Sequence, residues 1–230
     1  QNNTRVGAGA GDSFDGTNAE NNTLIGLNAG TAITTGDYNT VLGANALDAN
    51  TTGDSNIAIG YAALTTSSTA AKAIAIGDQA MEATTTGSWG IAIGHQALEA
   101  QTDANYNVAI GFAAGKATTT AGNNVFIGGE SGETNTTGSN NTAVGFRALE
   151  ANTTAGNQTA VGRLALQNNT TGYENTAVGA LTLDANTTGG SCVAVGVNAL
   201  SSNTTATENT AVGYQALYLN TTGTNNVAVG

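Results

Sequence analysis

Asn209-Thr210-Ala211-Val212-Gly213-Tyr214-Gln215-Ala216-Leu217-Tyr218-Leu219-Asn220-Thr221-Thr222-Gly223-Thr224-Asn225 is one turn of a motif that fills nearly the whole chain. The Gly that closes its short apolar run recurs as Gly26, Gly43, Gly60, Gly77, Gly94, Gly111, Gly128, Gly145, Gly162, Gly179, Gly196, Gly213 and Gly230, a constant step of 17 residues. Gly7 lies 19 residues before Gly26, so the first step carries two extra residues. A fixed period of this kind marks a repeat architecture in which each unit packs only on its neighbours. Seventeen residues are too few for the paired helices of helical repeats. The apolar run is brief and β-branched, as in Ile57-Ala58-Ile59 and Val193-Ala194-Val195, and Gly, Asn, Ser and Thr fill the remainder. Those are strand and turn chemistries respectively. The expectation is all-β: a parallel β-roll or β-solenoid of about 12 to 13 coils, each with two short strands and two tight corners. At ~4.8 Å per coil, twelve coils would make a rod of roughly 60 Å. Residues 1–20 are expected to form an irregular start with a first partial repeat, and 21–230 a continuous solenoid cut from a longer fibre.

Composition narrows the functions. The 230 residues hold 16 acidic and 5 basic side chains, a formal charge of -11, which excludes binding nucleic acid by phosphate neutralisation. One His and one Cys supply neither a His-based metal site nor an internal disulfide. No apolar run is long enough for a membrane helix. Zero Pro suits a ladder in which every interior N–H is used.

Side chains alternate across a strand. The outer pair of each run, such as Ile57 with Ile59 or Thr142 with Val144, is expected to fill the coil. The residue between them would then point away. That column is Ala58, Ala75, Ala92, Ala109, Ala143, Ala160, Ala177, Ala194 and Ala211, broken by Val41 and Phe126. A solvated face would tolerate Thr, Lys or Glu, so an Ala column predicts close approach of another chain. Ala-Leu pairs such as Ala46-Leu47 and Ala148-Leu149 would face opposite ways if extended, one filling the coil and one leaving it. Two apolar faces per thin coil predict an oligomer of parallel chains.

The runs Asn56-Ile57-Ala58-Ile59-Gly60, Asn107-Val108-Ala109-Ile110-Gly111 and Asn226-Val227-Ala228-Val229-Gly230 resemble the YadA-like head repeats of trimeric autotransporter adhesins. The pattern at 209–217 is also similar to repeats of long bacterial and phage fibres. The resemblance implies a left-handed β-roll, a homotrimer with Val/Ile pairs in the core, and an extracellular, cell-surface or virion-fibre location. It further implies attachment to a host-cell, matrix or glycan receptor. The unit here is longer than the adhesin head unit, and no stretch within these 230 residues reads as a neck, stalk, anchor or chaperone segment.

Several columns invite a sharper reading. Tyr61, His95, Phe112, Phe146 and Tyr214 follow the closing Gly and form either an aromatic stripe for sugar rings or a cover over a seam. Tyr38, Trp89 and Tyr106 make a second sparse stripe one residue before the usual Asn. Thr34, Thr51, Thr85, Thr102, Thr119, Thr136, Thr153, Thr170, Thr187, Thr204 and Thr221 form a row interrupted by Ser68, compatible with a corner ladder or an ice-facing surface. Asp48, Glu82, Glu99, Glu133, Glu150 and Asp184 share a column with Lys116, which reads as a solvated edge rather than a Ca²⁺ site. Cys192 stands where other units have Asn, Met81 stands in the Leu column, and Asn152 and Asn220 head Asn-x-Thr sequons. No nucleophile lies beside a base, and no cofactor motif is present. The expectation is therefore a non-enzymatic structural and adhesive fibre segment, without cofactor. The alternative is a monomeric solenoid that binds ice or glycans through a flat Thr or aromatic face.

Overall fold

The computed structural model describes residues 2–14 and 18–230. Part of the irregular start expected over 1–20, namely Gln1, Asp15, Gly16 and Thr17, lies outside the described residues. The chain divides into two compact units, residues 1–113 and 114–230. In the first, the strands are β1 (Thr4–Val6), β2 (Thr23–Ile25), β3 (Thr40–Leu42), β4 (Ile57–Ile59), β5 (Ile74–Ile76), β6 (Ile91–Ile93) and β7 (Val108–Ile110). In the second they are β8 (Val125–Ile127), β9 (Thr142–Val144), β10 (Thr159–Val161), β11 (Thr176–Val178), β12 (Val193–Val195), β13 (Thr210–Val212) and β14 (Val227–Val229). Within each unit consecutive strands pair in parallel with the repeat in register: Ile57 faces Ile74, and Thr159 faces Thr176. Thr4 pairs with Thr23, so the longer first step keeps the same register. This is the expected all-β parallel solenoid, with about 17 residues per turn.

The coil differs from expectation in having one three-residue strand rather than two. Backbone conformation explains it. Three non-glycine columns sit in the left-handed region: the residue before the inner Asn (Trp89, φ 63), the residue before the Ala-Leu pair (Gln96, φ 57) and the Leu itself (Leu98, φ 51). Such residues turn the chain within one or two positions, so no second strand can extend. The closing Gly is obligatory twice over. Gly60 has φ 134, and a Cβ there would lie 2.3 Å from the Gly77 carbonyl oxygen of the next coil.

Left-handed Leu also corrects the Ala-Leu reading. Ala46 and Leu47 are both fully buried, as are Ala148 and Leu149, because the Leu is not extended and both side chains turn inward. The strand columns are inverted relative to expectation as well. Ala58, Ala75, Ala92, Ala109, Ala143, Ala160, Ala177, Ala194 and Ala211 are each 0% exposed within the single chain, so they line the coil interior and are not interchain packing residues. Ile57 and Ile59 flank the buried Ala58 and are half-exposed, a pattern repeated from β4 to β6 and from β8 to β11. The reason is volume. With the Leu column and two polar columns inside, the strand centre holds a small side chain, Ala in most coils and Val41 in one, and takes Leu24 where Gly30 stands in the Leu column.

The polar columns are ladders. Asn39 accepts from the backbone N–H of Asn56 at 2.9 Å and from its Nδ2 at 3.1 Å, while Asn39 Nδ2 donates to the Gly53 carbonyl at 3.0 Å. On the other side of the coil, Asn152 Nδ2 donates to Asn135 Oδ1 at 2.7 Å and to the Ala155 carbonyl at 3.0 Å. Asn186 and Asn203 repeat that geometry. Buried amides stacked in this way satisfy corner carbonyls that no strand partner reaches.

Where one interior column changes size, another compensates. Phe126 replaces Ala at the centre of β8 and is fully buried, and Gly132 replaces Leu in the same coil. A Cβ on Gly132 would lie 2.4 Å from two atoms of the Phe126 ring, so the ring occupies the space the Leu side chain fills elsewhere. Met81 likewise reaches into the room left by Gly90, where other coils have Asn.

Candidate functional site

The outward face of the strands is the most distinctive surface. Its first column is Thr, Ile or Val and its second is Val, Ile or Leu in every strand of both units, with no charged residue in either. Leu42, Ile110 and Val193 are exposed outright, and most of the others are half-exposed. At ~4.8 Å per strand, seven strands carry this face for roughly 30 Å in each unit. Soluble chains seldom leave an apolar patch of that extent open to water unless something covers it.

Exposed columns border this face on both sides. Beyond the closing Gly lie Tyr61, His95, Phe112, Phe146 and Tyr214, all exposed. His95 and Phe112 stack along the solenoid with ring centroids 5.7 Å apart and planes 7° from parallel. Phe146 lies over the Gly129 position of the neighbouring coil, with the Arg147 guanidinium 5.1 Å from its centroid. On the other border stand Tyr38, Lys72, Trp89 and Tyr106. The Lys72 ammonium sits 4.1 Å from the Trp89 ring centroid, and Trp89 stacks on Tyr106 at 6.4 Å. Coil-to-coil stacking thus engages ring faces of Trp89, Tyr106, His95 and Phe112 that a sugar would need, most completely at Trp89.

The remaining candidates resolve into structural roles. Thr136 Oγ1 donates to the Thr153 carbonyl at 2.9 Å and Thr170 Oγ1 to the Thr187 carbonyl at 3.0 Å, so the Thr row is a corner ladder. Cys192 is buried in the inner Asn column, its backbone N–H donating to Asn175 Oδ1, and burial pushes its thiol up, away from reactivity. Met81 is core. The Asn152 side chain of the sequon is fully buried in the second ladder, while Thr154 is exposed. Glu133 and Glu150 of the acidic column, with Glu130 from the column of Gln96 and Arg147, offer carboxylate oxygens within 4.8 Å of one another. Arg147 binds Glu130 and lies 3.7 Å from Glu150, so a cation of the chain itself occupies the cluster. Glu133 is raised from the ordinary carboxylate range, first by partial burial and then by its two acidic neighbours. Asp48 is raised by burial.

The inner Asn ladder escaped the sequence reading. Its signal was present: Asn22, Asn39, Asn56, Asn107, Asn124, Asn141, Asn175, Asn209 and Asn226 recur directly before the strand, where a merely solvated turn would vary more. Comparisons of the chain with protein-family models, curated proteins and solved structures find no match in any of the three.

Proposed function

We propose that this chain is a non-enzymatic structural and adhesive fibre segment that assembles as a parallel homotrimer. The observation that carries the reading is the uncharged strand face of Thr, Val, Ile and Leu that each of the two units carries. Two copies of a chain with net charge -11 repel over most of their surface, and this face is where they can meet without opposing charges. Burying it returns ~25 cal/mol per Å² of apolar area. The role assigned to the Ala column passes to the Ile, Val and Thr side chains that flank it. On this reading the fibre stands at a cell surface or on a virion and holds a binding tip outward, or engages a host-cell, matrix or glycan receptor weakly through many coils.

Light scattering behind a sizing column tests it. A molar mass near three chains is expected, and Ile76→Lys with Ile93→Lys should reduce it to one. Those side chains are outward in the single chain, so the coil itself should survive. A clean monomer for the unmodified chain would overturn the proposal. Thermal hysteresis at micromolar protein would favour the ice-binding alternative.

A further inference from the structure

We infer that the two border columns are the two halves of one heterologous seam: the column before the inner Asn of one copy meets the column after the closing Gly of the next, at the same coil. The inference rests on assembly through the strand face and specifies what joins adjacent copies. It begins with coincidence along the sequence. On β5 the borders are Lys72 and Asp78, on β6 Trp89 and His95, and on β7 Tyr106 and Phe112. Elsewhere the two columns are mixed: a large residue stands opposite a small or polar one at Tyr38 with Ala44, Ser55 with Tyr61, Asn140 with Phe146 and Ser191 with Val197, whereas Asn123 stands opposite Gly129, Asn157 opposite Arg163 and Glu208 opposite Tyr214. The β5 coil alone carries charge in both columns, and the charges are opposite.

These pairs do not meet inside one chain. Each lies six residues apart on opposite edges of a strand, a separation of up to about 20 Å if extended. The ring contacts within the chain run along each border instead, Trp89 to Tyr106 and His95 to Phe112. On β5 to β7 the two borders match in charge or in ring character although the paired residues do not touch within the chain, and this points to contact between copies there. Rotation about an axis parallel to the solenoid involves no translation, so in a closed ring every residue meets its neighbour's surface at its own height. Head-to-tail rings of this kind join two different patches. Aromatic residues are enriched at such interfaces.

Cross-linking decides the matter. Trp89→Cys and His95→Cys are made separately and together, with Asn140→Cys and Phe146→Cys as a second pair, and each is treated with a short bis-maleimide. The buried Cys192 is silent. Covalent dimers and trimers are expected from each double variant and not from any single variant. Cross-linking of a single variant would mean like columns meet and would overturn the seam. Double variants that stay uncross-linked while light scattering still reports an oligomer would also overturn it, leaving strand-face assembly standing. A monomer by light scattering would remove both readings.

Discussion

Truncating Phe126 to Ala tests the logic of the coil interior most directly. The ring is fully buried at a position where other coils carry Ala, and it fills space left by Gly132. Its loss should cost about 3–5 kcal/mol, the usual price of emptying a buried aromatic site. Gly132→Leu alone should also destabilise, by about 1–3 kcal/mol or more, because its Cβ would meet the ring. Made together, the two changes recreate the Ala and Leu of neighbouring coils. The pair should then lie within about 2 kcal/mol of the parent, most of that being the left-handed penalty of about 1–2 kcal/mol for a residue with a side chain. A coupling of at least about 2 kcal/mol is the expected signature. Repeat arrays open in pieces, so the readout should be native-state hydrogen exchange at β8 and β9 rather than one global midpoint. Additive losses would refute the claim that ring and Leu compete for one space.

Other perturbations probe the remaining layers. Gly60→Ala should disrupt its own coil and the next, seen as fast exchange at β4 and β5, since its Cβ would meet the Gly77 carbonyl; protection equal to the parent would contradict that. Asn152→Ala should cost about 1–3 kcal/mol by stranding the buried Asn135 Oδ1, which accepts from Asn152 Nδ2 at 2.7 Å, while the Ala155 carbonyl keeps Asn141 Nδ2 at 2.9 Å; Asn152→Asp should not rescue it because a carboxylate cannot donate. Expression in a glycosylating host should leave Asn152 unmodified in the intact mass, because the amide is fully buried. Glu133 is held above the ordinary carboxylate range, so its ionisation opposes folding. Its contribution is greatest below the unfolded-state value and is lost as pH rises through the folded one. Thermal scans from acid toward neutral pH should therefore show a steeper decline for the parent than for Glu133→Gln, and parallel curves would contradict the cause.

The 17-residue period, the parallel in-register stacking, the invariant corner Gly and the Thr corner ladder were all legible in the sequence. Each follows from one rule: every coil presents the same atoms to the next, so a column must be satisfied by itself. Side-chain direction was not legible, because alternation separates two faces without saying which is inside. The deciding fact was the narrow bore of the coil, which admits Ala58 and excludes the pair Ile57 and Ile59. The conformation of Leu98 was equally hidden, since nothing about Leu announces a left-handed backbone. Tertiary packing imposes it: one buried Leu per coil, stacked on its own kind, outweighs a local preference that residue type alone would report. Inverting the strand columns turned an inferred Ala seam into an Ile, Val and Thr face, and only the folded coil could make that choice.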